Sequence, residues 1–200
     1  MQSNWSRREG NGTVTWVDAH LTDEGIKQTT HLGELWTEWT RDSGVPLPDT
    51  VYTSPLARCL ETTKLVYSNV VTQHGGTGTF QPIVKESLRE RLTDHTCDKR
   101  SSKTWIEEHY PDYVLEPGFV EEDVLWKADA FETDEAHTAR KQRLLEGIWI
   151  SNREAHFVSL TTHSYAISAI LEVMGAPHFR VGEGQIVALL VKGERVVAKG

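Results

Sequence analysis

Cysteine is scarce. The 200 residues hold two, Cys59 and Cys97, far apart in the chain. A disulfide-stapled framework is excluded; one bridge is the most they can form, and two free thiols in a reducing compartment are the expectation. Cys59 falls in a helical stretch and reads as a small packing residue. Long apolar runs are also missing. No stretch approaches the roughly 20 residues that span a bilayer, and the first twenty residues lack the apolar centre of a secretion signal. Positive charge is in deficit: 21 Lys and Arg against 29 Asp and Glu give a net charge of -8. That argues against nucleic acid or an anionic membrane as the main partner, while leaving room for a local basic pocket. Repeats and low-complexity tracts are absent. Metal-ligand spacing is absent too: His95, Cys97 and Asp98 stand too close together, with no second Cys-x-x-Cys or His-x-x-x-His half. No metal, no cofactor and a cytoplasmic location are therefore expected.

What remains is ordinary globular material, 38% hydrophobic and 25% charged, enough for one domain with a sizeable core. Residues 1–17 read as a loop. Thr22 reads as the N-cap of a helix with an apolar stripe through Ile26, Leu32, Leu35, Trp36 and Trp39, ending near Asp42. A breaker at 43–48 precedes a short strand over 50–54. Pro55 then opens a helix carrying Ala57 to Tyr67. Residues 73–79 read as a loop and 82–84 as a third extended segment. The irregular stretch 85–135, weakly helical over 102–109, reads as an insertion covering the sheet's ligand edge. A charged helix over 133–149 leads to a strand over 157–162 and a helix over 166–174. Residues 185–191 and 195–198 form a terminal hairpin pattern. This alternation predicts a mainly parallel α/β sheet flanked by helices, in a single domain.

Four groups carry chemistry. His163 ends an apolar strand and meets a helix start, the place where open α/β sheets bind ligands and helix ends attract anions. Arg58 stands one turn into a helix after a strand, where its planar fork suits a phosphate or carboxylate, and Ser54 beside it caps the helix or donates to an oxyanion. Glu90, in Glu86-Ser87-Leu88-Arg89-Glu90-Arg91, is a general acid if desolvated, since burial raises a carboxyl pKa. Lys99 and Arg100 add positive potential to an anion pocket. The competing reading of each alone is a solvated surface charge or a backbone-bonded histidine.

In this order, Thr53-Ser54-Pro55-Leu56-Ala57-Arg58, Leu88-Arg89-Glu90-Arg91 and Thr162-His163-Ser164 resemble the histidine phosphatase superfamily, also called phosphoglycerate mutase-like. Asp18-Ala19-His20-Leu21-Thr22-Asp23-Glu24-Gly25 resembles that family's segment ahead of its first long helix, and His95-Thr96-Cys97-Asp98-Lys99-Arg100 is similar to the fungal branch. The resemblance spans residues 16–198. It implies that Arg58 grips phosphoryl oxygens, with Ser54, Ser164 and Arg100 as further phosphate contacts. It also implies that His163 stabilises the transferring group and that Glu90 protonates the leaving oxygen. His95 and Tyr165 are candidates for the pocket wall, Tyr165 standing where the family usually has glycine.

The family's Arg-His-Gly, whose histidine is the nucleophile at the end of a central first strand, does not occur in the sequence. The terminal hairpin is one candidate to pair with the 156–162 strand in its place. The implied substrate is a small phosphate ester, handled by a hydrolase or mutase that is truncated or inactive. The alternatives are a repurposed acid–base enzyme (lyase, isomerase or cyclase) and a pseudoenzyme binding module. The aromatics Trp105, Tyr110, Tyr113, Phe119 and Trp126 suggest either a ring-bearing substrate portion or a satellite core. The oligomeric state is left open.

Overall fold

The computed structural model describes residues 10, 15–73, 80–152, 154–179 and 181–193. Three parts of the expected pattern, most of the 1–17 loop, all but the first residue of the 73–79 loop and the 195–198 strand, lie outside them. The elements run α1 (Asp23–Ser43), β1 (Thr50–Thr53), α2 (Ala57–Gln73), β2 (Ile83–Val84), α3 (Lys103–His109), β3 (Val114–Leu115), α4 (Asp134–Ser151), β4 (Val158–Thr161) and α5 (Ser164–Val173). The four strands form one parallel sheet in the order β3-β2-β1-β4. This is the α/β architecture the alternation predicts.

Local chemistry explains the element ends. Thr22 Oγ1 accepts from the Gly25 amide at 3.1 Å, the N-cap read from the sequence. At the other end of α1, Gly44 takes φ 65 and donates to the Trp39 carbonyl. That left-handed turn is one a side chain would strain. β1 alternates across the sheet. Val51 packs with Trp36 of α1 and with Val66, Tyr67 and Val70 of α2, whereas Tyr52 faces Leu88 and Leu144 of α4. β1 is thus buried on both sides, between β2 and β4.

α1 and α2 approach closely at Gly33. A Cβ there would lie 2.8 Å from the Leu65 carbonyl oxygen and 3.1 Å from that of Val66. Both are backbone atoms that cannot swing aside. Alanine is the better helix former by up to about 1 kcal/mol. Gly33→Ala is nonetheless expected to destabilise the fold, by about 1–3 kcal/mol, because the two helices must separate. Urea denaturation checks this, and an unchanged or raised midpoint would refute it.

Two differences from the sequence reading stand out. β3 lies inside the 85–135 insertion and extends the sheet, pairing with β2. Its neighbour Tyr113 is buried with Tyr110, Phe119, Ile106, Leu60 and Val84. Three of the insertion's aromatics are therefore core, which selects the satellite-core reading for them. Second, residues 185–191 form no strand. Among the described residues β4 pairs with β1 alone, so residues 185–191 do not pair with it. No helix among the described residues is long and apolar enough to cross a membrane.

Candidate active site

The carboxyl ends of β1 and β4 lie side by side, the Ser54 amide donating to the Thr161 carbonyl at 3.0 Å. This pairing brings Ser54, Arg58 and His163 together across more than a hundred residues of sequence. Arg58 Nε lies 3.2 Å from His163 Nδ1, and His163 Nε2 lies 2.9 Å from Ser54 Oγ. Guanidinium only donates, so Nδ1 is the acceptor. The imidazole is then the neutral tautomer protonated on Nε2, which donates to Ser54. Burial, and after it the Arg58 cation, hold His163 well below the usual imidazole range. Cys59 Sγ sits 3.4 Å from Nε2. Its thiol is pushed up to about 12, chiefly by burial, which leaves it protonated and inert. Both cysteines are free.

Arg58 is itself held from the insertion. Its Nη1 donates to the Cys97 carbonyl at 2.7 Å and its Nη2 to Asp98 Oδ1 at 3.3 Å. Thr93 Oγ1 donates to the other Asp98 oxygen at 2.8 Å. Asp18 completes the frame. Its carboxylate accepts from the Ala57 amide at the start of α2 and from the Ser101 amide, each at 2.8 Å. Asp18 takes φ 46 to do so. Asp98, weighed in the sequence only within a metal-ligand pattern, and Asp18, not singled out residue by residue, are positioning groups. The family-like segment starting at Asp18 was the available signal.

Glu90 reaches the start of α5. Its Oε1 accepts from the Arg91 amide at 2.9 Å and the Ala166 amide at 3.1 Å, and its Oε2 from the Tyr165 amide at 3.2 Å. Thr162 Oγ1 donates to the Leu88 carbonyl at 2.5 Å, tying the Glu90 loop to the strand that carries His163. Burial raises the Glu90 carboxyl above its ordinary value, with Asp98 adding to it. The amides of Arg91 and Tyr165 and the Arg58 cation work the other way. The result is a carboxyl poised to hold and release a proton nearer neutrality than a surface glutamate.

The remaining expected residues separate. Ser164 is exposed in the first turn of α5 and makes no hydrogen bond to Arg58 or His163. Tyr165 is 58% exposed, with the Arg91 guanidinium 5.0 Å above its ring, at the rim beside Glu90. His95 opens the turn that holds Arg58. Its ring lies 3.9 Å from Asp94, and its carbonyl accepts from Trp126 Nε1 at 3.0 Å.

Arg100 is the correction. Its side chain is fully buried and its donors are spent inside the insertion. They go to Glu86 Oε1 and to the carbonyls of Val120, Glu121, Glu122 and Ser101. It has no N–H left for a phosphate. Buried carbonyls of an irregular loop need donors, and Arg100 meets that need. Arg89, equally buried, grips Asp123 through both terminal nitrogens at 2.8 and 2.7 Å and also reaches Glu86. Burial works to raise Asp123, but Arg89, with the amides of Trp126 and Arg100, holds the carboxyl below the ordinary range.

Known proteins resemble this chain in sequence and in fold. The chain is 44% identical over 190 residues to a "Probable phosphoglycerate mutase" of Arthroderma benhamiae, covering 95% of this chain and 56% of that protein. It is 29% identical to "Phosphomutase-like protein 3" of Candida albicans, covering 94% and 56%. A probable phosphoglycerate mutase of Saccharomyces cerevisiae is 31% identical, covering 94% and 69%. The chain thus spans little more than half the length of the first two relatives. Mycobacterial glucosyl-3-phosphoglycerate phosphatase superposes with a TM-score of 0.51 at 19% identity, covering 88% of this chain and 76% of that one. At that identity the likeness shows the fold. The sequence profile of the histidine phosphatase superfamily (branch 1) matches residues 2–193, and the chain belongs to that family.

Proposed function

We propose that this chain builds the anion-gripping and proton-donating side of a phosphate-ester hydrolase or mutase site. The observation that carries the reading is the cluster of Arg58, His163 and Ser54, with the Glu90 carboxyl, its pKa raised by burial, at the adjacent end of α5. Phosphoryl transfer spreads negative charge over equatorial oxygens and leaves an alkoxide to be protonated. Arg58 supplies a cation and a planar donor fork. His163 donates from Nε2, with Arg58 fixing that tautomer through Nδ1. Glu90 supplies the proton. Positive charge in this scheme comes from side chains, so the reading calls for no metal. The substrate class is a small phosphate ester, in line with the phosphatase and mutase names of the relatives.

No Arg-His-Gly occurs in the sequence. A nucleophile needs in-line placement, and neither His163, bonded to Arg58 and Ser54, nor Glu90, bonded to α5, is set out for that task. The expected behaviour is therefore binding without efficient turnover. Inorganic phosphate and orthovanadate should protect the protein against heat, by about 2.7 kcal/mol at a hundredfold excess over Kd. An aryl phosphate should be hydrolysed only slowly. Absence of protection by both anions would refute the reading. Fast, chelator-insensitive turnover that is lost in His163→Ala would instead reveal a substitute nucleophile.

A further inference from the structure

From the sequence, α4 is a charged helix with one apolar face. The structure sends two of its cations beneath the loop that carries Glu90. That loop leaves the sheet through the helical turn Glu86–Leu88 and continues without regular structure. Its carbonyls at 87, 89 and 90 therefore lack partners in any helix or strand. Two consecutive residues of α4 take all three. Arg140 Nη1 donates to the carbonyls of Ser87 and Arg89, each at 3.1 Å, and its Nη2 to that of Glu90 at 2.9 Å. Lys141 Nζ donates to the carbonyls of Ser87 at 2.7 Å and Arg89 at 2.6 Å.

Arg140 is in turn fixed by Glu132, at 2.8 and 2.6 Å, and Glu132 also accepts from the Leu92 amide at 3.1 Å. The loop is thus held on both sides of Glu90. Lys141 is completely buried. A charged ammonium is costly there, and burial favours the neutral amine, which still donates to both carbonyls. The groups around it are Arg89, Glu90, Glu132 and Arg140. His137 lies one turn earlier on the helix and is pushed down to about 4, chiefly by burial. Burial likewise pushes Lys141 down, to about 6.

We propose that Arg140 and Lys141 are positioning residues for the proton donor. They clamp the main chain at 87–90 so that the Glu90 carboxyl reaches the Tyr165 and Ala166 amides and stays out of water. This rests on Glu90 being the group whose proton matters, but not on the identity of the substrate. The two amides are built-in reporters, because their chemical shifts follow the protonation of the carboxyl they bond. In the full chain they should titrate together, with a midpoint above that of an ordinary glutamate. In Arg140→Gln and in Lys141→Met that shared titration should disappear or move by about one pH unit, a roughly tenfold change in the proton affinity of Glu90. Arg140→Lys should retain part of it.

A role confined to fold stability would lower the melting temperature and leave the midpoint in place. That outcome, in a folded variant, overturns the proposal. Arg140 is partly accessible, so Arg140→Gln carries the test if Lys141→Met does not fold. Inorganic phosphate binding, measured in the same samples, separates the two ideas. Titrating amides in a protein that binds no phosphate would refute the proposed function and leave the clamp standing.

Discussion

Replacing Arg89 by methionine should cost about 3–5 kcal/mol of folding stability, the usual price of orphaning one partner of a buried ion pair. A domain of this size has about 5–15 kcal/mol in all, so the variant is expected to sit near the edge of folding. The side chains of Arg89 and Asp123 are 0% and 1% exposed. Without the guanidinium, Asp123 keeps the amides of Leu125, Trp126 and Arg100 but loses both charge-assisted bonds. Glu86 loses less, since Arg100 still holds its other oxygen. The Asp98 carbonyl also loses its Arg89 donor, which loosens the turn that orients Arg58. Replacing both partners, Arg89→Met with Asp123→Leu, should recover much of the loss, because no isolated charge is then buried. Urea denaturation of the single and double variants measures this. A single-variant loss below about 1 kcal/mol, typical of a solvated pair, would show that water reaches it.

The second large effect concerns Arg58→Ala. A charge-assisted hydrogen bond contributes about 1.5–3 kcal/mol, so losing a two-pronged grip should weaken inorganic phosphate binding on the order of 100-fold. Stability should change far less. Arg58 is 23% exposed on its side chain, and Asp98 keeps the Thr93 hydroxyl when the guanidinium goes. His163 should become easier to protonate without the adjacent cation, although burial, the larger cause of its shift, persists. Binding in the variant should therefore gain at lower pH relative to the parent. Isothermal titration at two pH values reads both effects. Phosphate affinity within about threefold of the parent would remove Arg58 from the site.

How far these features were legible depends on how local their causes are. The Thr22 cap, the Pro55 helix start and the apolar 157–162 run depend on neighbours a few residues away, and α1, α2 and β4 emerge close to where the sequence puts them. The meeting of Arg58, Ser54 and His163 has no local signal. It became readable because the strand-end residues occur in the order the family shows. Arg100 was misread for a physical reason. A cation next to a candidate site suggests a bound anion, but its acceptors are the Glu86 carboxylate and backbone carbonyls at 101 and 120–122, and carbonyls leave no mark in a sequence. β3 was missed because two residues cannot display a period. The 185–191 segment has strand-like composition, but among the described residues it joins no ladder.

The two buried arginines of the insertion have a consequence for how this protein can change over evolutionary time. Arg89 and Arg100 bind the wall beside the site into a single polar knot, in which Glu86, Asp98, Asp123 and the 120–122 carbonyls depend on one another. Substitutions inside such a knot are coupled, so each one strands a partner and is selected against on folding grounds before any new ligand is tried. Arg91, Tyr165 and His95 stand outside it, exposed or half-exposed. Drift in ligand preference should therefore collect at those rim positions, while the wall behind them remains inherited architecture.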